Sequence, residues 1–280
     1  PMKSAAIRLA DQIAASGRDL KYIFLSHPHF DHSQGAAILK ERFPSAQFGS
    51  TPDVAALQAL RIPLDDAFAT QGFGDNAAIP SIAATPYAEP TLEIDGEPVE
   101  IWQGYVGDPG MGLANEPHNV LYVPGLHALI PSDIIVFGAH AFVGNSTHES
   151  RMQWVAQIDD WMARDFAIVV PGHMPLSRLA DLNPQDALRH TRDYVLAYDA
   201  ARAQVSSSDE MIARMLDAFP APATEHQQAL LLGVYNDIAE FRSINVDENG
   251  EMFAGPGPAN AEEAATQRKA FEERRALYQI

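Results

Sequence analysis

Hydrophobic and polar positions follow two different periods in the first part of the chain, which predicts a mixed α/β domain. Apolar residues three or four positions apart at 4–16 predict an amphipathic helix, and the short apolar run at 21–26 is typical of a buried strand. The same reasoning predicts helices at 33–43 and 52–60. A short strand at 47–50 is expected between these two helices.

A second group of strands is predicted after a long irregular stretch. Residues 62–90 are rich in Ala, Pro, Gly and Asp without a clear period, so we expect a long loop with some helix there. Pro131 interrupts a later apolar sequence and separates the strands predicted at 127–130 and 133–137. The elements predicted beyond the loop are strands at 91–103, 119–123, 127–130, 133–137 and 166–170 and a helix at 149–164.

The C-terminal part of the chain has a different pattern, because helical spacing replaces the strand pattern after residue 183. We therefore predict two parts, an α/β domain at residues 1–180 and a helical C-terminal extension at 181–280 packed on it. The predicted helices of the extension are 184–204, 208–218, 224–243 and 260–278.

The composition of the chain disfavours two classes of function, nucleic-acid binding and membrane insertion. The chain has 280 residues, of which 46% are hydrophobic, and a formal net charge of −18 from 37 acidic and 19 basic residues. Such an acidic chain repels phosphate backbones, and no basic patch with interleaved aromatics stands out, so we expect no nucleic-acid partner. No uninterrupted apolar stretch of about 18 residues is present, so we expect no membrane span.

A dense cluster of histidines follows the first predicted strand. Cysteine is absent from the sequence, so any metal would be held by His and carboxylate side chains. Three of the ten histidines stand in the segment His27-Pro-His29-Phe-Asp31-His32. Positions 27 and 29 can face one metal ion, while 31 and 32 turn toward a second. A solvated polar turn is the alternative, and we favour it less because the cluster closes a hydrophobic strand.

Further candidate ligands stand at the ends of later strands. His118 opens the segment NVLYV, Asp133 opens IIVFG, and His173 follows FAIVV through Pro-Gly. A single histidine of this kind is more often structural than a ligand. Together with the first cluster, however, these residues complete a set of donors large enough for two metal ions that share a bridging carboxylate.

This combination of motifs resembles the metallo-β-lactamase superfamily. The signature H-x-H-x-D-H stands here as HPHFDH, and His118, Asp133 and the Pro-Gly-His at 171–173 follow in the order of the superfamily. The resemblance covers residues 5–175. It implies a four-layer αββα sandwich that forms a catalytic domain at 1–180, with a helical C-terminal extension.

The resemblance also implies a dinuclear metal centre. The expected metal is zinc, as a pair of ions in each chain, with iron or manganese as alternatives. Asp133 would bridge the two ions. The other implied ligands are His27, His29 and His118 on one metal and Asp31, His32 and His173 on the other.

The chain departs from the superfamily pattern in three places. It starts almost at the helix before the signature, so the N-terminal strands are expected to be truncated or completed from elsewhere. Ser132 stands where a glycine usually precedes the bridging aspartate. The loop before His118 lacks the usual Gly-His-Thr pattern, and Glu116 is the alternative ligand nearby.

The implied activity is hydrolysis of a small-molecule substrate by a metal-bound hydroxide. The bond would be that of an ester, a lactone, a thioester or an amide, β-lactams included. Asp31, or a water bound to the second metal, would pass a proton to the leaving group. His140 is a candidate catalytic residue that contacts the substrate or orients a ligand, and an ordinary loop histidine is the alternative reading.

Two other functions compete with a small-molecule hydrolase. The first is a metal-stabilised binding or interaction protein with a degenerate hydrolase fold, in which the helices after residue 183 mediate assembly. Those helices are also candidates for a homodimer interface or for a cap over the site. The second is phosphodiester hydrolysis, which the acidity of the chain disfavours.

Overall fold

The structure is a computed structural model, and it describes residues 2–109, 116–143, 146–205, 208–220, 244–246 and 252–254. The helices predicted at 224–243 and 260–278 lie outside the described residues. The chain divides into two compact units, with the first boundary between Pro90 and Thr91. Among the described residues, no helix is both long and apolar enough to cross a membrane.

The first unit is built on a small parallel sheet covered by helices. The sheet has the order β1-β2-β3, and its register sets Ile23 opposite Phe48. Leu25, Phe48 and Val54 form part of its buried apolar core. Its elements are α1 (Lys3–Ala15), β1 (Tyr22–Phe24), α2 (Phe30–Ser33), α3 (Ala36–Arg42), β2 (Gln47–Ser50), α4 (Pro52–Phe73) and β3 (Thr85–Pro86).

Two predictions in the first unit need correction. The expected loop at 62–90 is wrong in its first part, because helix α4 continues to Phe73 with Pro63 inside it. The Arg61–Asp65 ion pair (3.5 Å) and a hydrogen bond from Gln34 to the Asp65 carbonyl (2.9 Å) hold the helix beyond the proline. These are tertiary contacts, which outweigh a local helix breaker. Helix formation after β1 also starts earlier than expected, at Phe30 in α2, so Asp31 and His32 are helical.

The second unit is built on a five-stranded sheet of order β4-β5-β6-β7-β8. Strands β4 to β7 pair antiparallel, whereas β7 and β8 are parallel and are connected through helix α5. A parallel connection of this kind requires a crossover, which the helix supplies. The elements are β4 (Thr91–Ile94), β5 (Glu97–Tyr105), β6 (His118–Val123), β7 (Ala128–Val136), α5 (His148–Met162), β8 (Ile168–His173), α6 (Pro184–Arg202) and α7 (Ser208–Ala218).

The strand boundaries in this unit differ from the predicted ones. The single strand expected at 91–103 is a hairpin, because Asp95 and Gly96 both adopt positive φ and turn the chain. The two strands expected at 127–130 and 133–137 are one strand, β7. Pro131 is accommodated where the β7–β8 register shifts between Leu129 and Ser132.

Helices α5 and α6 cover the large core of the second unit. Trp154 is fully buried and donates its indole N–H to the Ile134 carbonyl of β7 at 2.9 Å. Tyr194 of α6 is buried in the same core. Arg151 joins the two helices through a 2.8 Å hydrogen bond to Asp199. The helical part that follows β8 therefore packs within this unit, while the division at residues 180 and 181 stays a prediction.

Two short strands complete the described elements. Strand β9 (Ile244–Val246) and strand β10 (Met252–Ala254) pair with each other in a separate two-stranded sheet.

Candidate metal centre

The first group of predicted ligands lies directly after strand β1. The imidazole of His27 is fully buried, and its ring centroid lies 4.3 Å from that of His29 and 4.3 Å from that of His32. Ser26 Oγ lies 3.0 Å from His27 Nδ1, which restrains the ring. Strand β1 ends at Phe24 and helix α2 begins at Phe30, so His27 and His29 lie in the turn between them and His32 lies in the first turn of α2.

The first group divides into two pairs of donor atoms. One ligand atom of His27 lies within 4.8 Å of one of His29, and the same holds for Asp31 and His32. The closest approach in the second pair is 3.4 Å, between His32 Nε2 and Asp31 Oδ2. A single metal ion with bonds of about 2.0–2.2 Å can bridge the 3.4 Å spacing of the second pair.

His118 occupies the first position of strand β6 and is buried. Its Nδ1 lies 2.9 Å from the main-chain carbonyl oxygen of Glu116, and a carbonyl only accepts hydrogen bonds. Nδ1 therefore carries a proton, and a neutral ring in this arrangement has its lone pair on Nε2. A histidine ligand is commonly oriented in this way, with one nitrogen donating to a carbonyl and the other facing the metal.

Asp133 and His173 meet at the parallel pair β7–β8. His173 Nε2 lies 2.9 Å from Asp133 Oδ2, and the Asp133 side chain is only 1% exposed. Burying a carboxylate is costly unless it is paired or binds a cation. The histidine is the last residue of β8 and lies opposite Val136.

Gly172 permits this approach. A Cβ atom on it would lie 1.9 Å from Asp133 Oδ1 and 2.5 Å from the carbonyl carbon of Ser132. No side chain fits there, which gives a physical reason for the glycine in the Pro-Gly-His motif.

The sequence model of the metallo-beta-lactamase superfamily matches residues 2–173. This chain belongs to that superfamily. The resemblance inferred from the sequence is therefore confirmed, together with the α/β metallo-β-lactamase fold and its helical C-terminal part.

One solved structure agrees with this assignment at the level of the fold. A beta-lactamase domain protein from Burkholderia ambifaria has 14% sequence identity, with 85% of this chain and 75% of that chain covered and a TM-score of 0.52. A metallo-beta-lactamase from Pontibacter korlensis has 17% identity, with 62% and 67% covered and a TM-score of 0.41. At 14% identity, the Burkholderia ambifaria protein shows a shared fold only.

The donor set fits the metals that the superfamily typically binds. All seven predicted ligands are imidazoles or carboxylates, which zinc, iron and manganese accept. The fixed tautomer of His118 and the buried carboxylate of Asp133 are both suited to a cation. Metal binding is thus the expected property of this metallo-β-lactamase family member, while the role of each ligand stays a prediction.

Ser132, which replaces the usual glycine, has a left-handed backbone with φ of 50°. This conformation costs an L residue about 1–2 kcal/mol, whereas glycine adopts it freely. We expect Ser132→Gly to be more stable than Ser132→Ala by about 1 kcal/mol, as measured by urea unfolding. Both variants lack the hydroxyl group, so their difference isolates the backbone. Equal stabilities would contradict this explanation.

The structure places His140 away from solvent, in the segment that follows β7. Its Nδ1 lies 3.0 Å from the hydroxyl oxygen of Tyr194, and the residue is 1% exposed. Burial, followed by the charge of His190, lowers the pKa of His140. The sequence pattern did not single out Tyr194, because a tyrosine on the buried face of a helix carries no motif.

Proposed function

We propose that this protein is a hydrolase that uses a pair of zinc ions to cleave an ester, lactone, thioester or amide bond in a small molecule. The observation that carries the proposal is the cluster of buried His27 and His29 with the partly exposed His32, in which the rings of His29 and His32 each lie 4.3 Å from that of His27. A metal ion binds several imidazole nitrogens at once, and a cluster of neighbouring rings offers those ligands together.

The proposed ligands follow the motif order of the superfamily. Asp133 would bridge the two ions, and its buried carboxylate next to His173 suits that role. The remaining ligands that we assign are His27, His29 and His118 to one metal and Asp31, His32 and His173 to the other.

The chemistry follows from the proposed metal and from the chain's own groups. Zinc bound there would supply a water of lowered pKa and polarise the carbonyl of the substrate. Asp31, whose side chain is 28% exposed, is the carboxylate that we propose to take a proton from the attacking water and pass it to the leaving group. His118 is held in its tautomer by the Glu116 carbonyl and would stay in place during turnover.

Metal content and turnover test this proposal. Protein prepared with excess zinc should contain about two zinc ions by plasma emission spectrometry. The zinc-loaded protein should then hydrolyse at least one member of a panel of 4-nitrophenyl esters, lactones, thioesters and β-lactams. Failure to take up zinc, or zinc binding without turnover of any of these bond classes, would contradict the proposal. The second outcome would favour a metal-stabilised binding protein.

The choice between His118 and Glu116 as ligand gives a sharper prediction. His118→Ala should lower the zinc content by about one ion, because it removes the ring whose Nε2 carries the lone pair. Glu116→Gln is the matched control, since it keeps the size of a buried side chain and the carbonyl that orients His118. Metal analysis of both variants decides the assignment. Zinc loss in Glu116→Gln with full content in His118→Ala would reverse it.

A further inference from the structure

His140 and Tyr194 form a buried pair in the second unit that the proposed metal centre does not use. His140 lies in the segment after β7, and Tyr194 lies on α6. They are joined by one hydrogen bond of 3.0 Å between Nδ1 and the phenolic oxygen. His140 is 1% exposed and Tyr194 is fully buried. A polar pair placed this deeply must satisfy its donors and acceptors locally.

The hydrogen-bonding inventory determines which nitrogen of His140 carries the proton. Burial raises the pKa of Tyr194, so its hydroxyl stays protonated and has one proton to donate. Among the residues that the structure describes, the only hydrogen-bond partner of this hydroxyl is Nδ1 of His140. If the hydroxyl donates to Nδ1, the ring proton is on Nε2. The reverse arrangement would leave two polar groups unsatisfied instead of one.

The Nε2–H group of His140 is therefore a buried donor. It has no hydrogen-bond partner within the described part of the chain. Burial lowers the pKa of His140, and the neighbouring His190 lowers it further, so the ring is neutral near pH 7. Leaving such a donor unsatisfied is costly, and unsatisfied groups of this kind recur at functional sites.

The location of His140 relates this donor to the candidate metal centre. Val136 at the end of β7 lies opposite His173, and the Phe137 amide donates to the His173 carbonyl at 3.0 Å. His140 follows Phe137 by three residues, which an extended chain spans in about 10 Å. The segment with the donor thus begins at the sheet edge that holds His173.

We propose that His140 donates a hydrogen bond from Nε2 to the substrate oxygen that gains negative charge during hydrolysis. Tyr194 is the positioning residue that holds the proton on Nε2. The ligand class is a carbonyl compound whose product is a carboxylate. The inference rests on the proposed function for the reaction, but the state of the ring can be tested without turnover.

Nitrogen NMR of protein labelled with ¹⁵N-histidine tests the ring directly. The resonances of His140 are assigned by their loss in His140→Asn. We expect the proton on Nε2 in the metal-free and in the zinc-loaded protein. Acetate, a small product-like carboxylate, should shift the Nε2–H resonance of the zinc-loaded protein. A proton on Nδ1, or an Nε2–H resonance that does not respond to acetate, would overturn the proposal.

The kcat values of variants distinguish the role of His140 as a hydrogen-bond donor from its role in packing. His140→Asn keeps a group that can accept from Tyr194 but removes the distal donor, so kcat should fall about 100-fold, as for the loss of one oxyanion donor. The longer side chain of His140→Gln places an amide N–H farther from the backbone than His140→Asn does, so it should recover part of the lost kcat. Tyr194→Phe should lower kcat by about tenfold, as expected for loss of one orienting hydrogen bond. Unchanged kcat in His140→Asn would overturn the proposal.

Zinc content distinguishes failure of this inference from failure of the proposed function. His140 is not a proposed ligand, so His140→Asn and Tyr194→Phe should bind as much zinc as the wild type. A wild-type protein that binds no zinc refutes the proposed function, and the inference about substrate falls with it. Full zinc content and wild-type turnover, combined with an unaffected His140→Asn, refute only the inference.

Discussion

Alanine in place of Asp133 should lower the zinc content from about two ions to one or fewer, because this residue is the proposed bridge between them. Turnover should fall by more than about 100-fold, since even the partners that orient metal ligands are worth about 10–100-fold. The carboxylate is 1% exposed and lies 2.9 Å from His173 Nε2. Water from the solvent is therefore not expected to take its place as a ligand. Plasma emission spectrometry and kinetics on the zinc-loaded protein measure both effects.

Asp133→Asn is the matched control for this substitution. It keeps the shape of the side chain and one oxygen near His173, but it removes the negative charge. We expect Asp133→Asn to fold like the wild type, as judged by circular dichroism, and still to lose zinc. Full zinc content in either variant would show that Asp133 is not a ligand.

Alanine in place of Gly172 should destabilise the protein by about 3 kcal/mol or more. The added Cβ would lie 1.9 Å from Asp133 Oδ1, 2.5 Å from the Ser132 carbonyl carbon and 2.6 Å from the Asp133 amide nitrogen. Two of these three atoms belong to the backbone of β7, so a rotamer change cannot relieve the overlap. Urea unfolding of metal-free protein measures the loss, and zinc content should fall as well.

Gly125→Ala is the control for a general effect of glycine replacement. Its Cβ would meet only Glu97 Oε2, at 3.5 Å, which is an ordinary contact, and Gly125 is not a positive-φ residue. This variant should be unchanged or more stable by about 0.4–1 kcal/mol, because alanine restricts the unfolded chain. Equal stability of Gly172→Ala and the wild type would show that β8 does not approach β7 as closely as described.

The elements that sequence patterns predicted well are those determined by local information. Helix α6 at Pro184–Arg202 begins beside Asn183, whose side chain accepts from the Gln185 and Asp186 amides, a cap that is visible in the sequence. Helix α4 shows the opposite case. Its continuation past Pro63 depends on Gln34 and on the Arg61–Asp65 pair, which a local pattern does not contain.

The prediction of two strands in place of β7 is wrong for a related reason, because it too depends on local sequence alone. Pro131 cannot donate a hydrogen bond, so a local rule places a break there. In the folded protein the proline lies where the register with β8 shifts between Leu129 and Ser132, and the strand passes through it. Whether a proline ends a strand depends on the neighbouring strand, which is remote in sequence.

By itself, the sequence determined the chemistry that the candidate site can offer: imidazole and carboxylate donors, no thiolate, and a dense cluster after a buried strand. These are properties of residue types and of short segments. Only the tertiary structure decided how the donors are held. The Glu116 carbonyl sets the tautomer of His118, Gly172 admits the Asp133 carboxylate, and Tyr194 reaches His140 across 54 positions of sequence. Protonation state and close approach depend on atoms that meet after folding, and no local pattern encodes them.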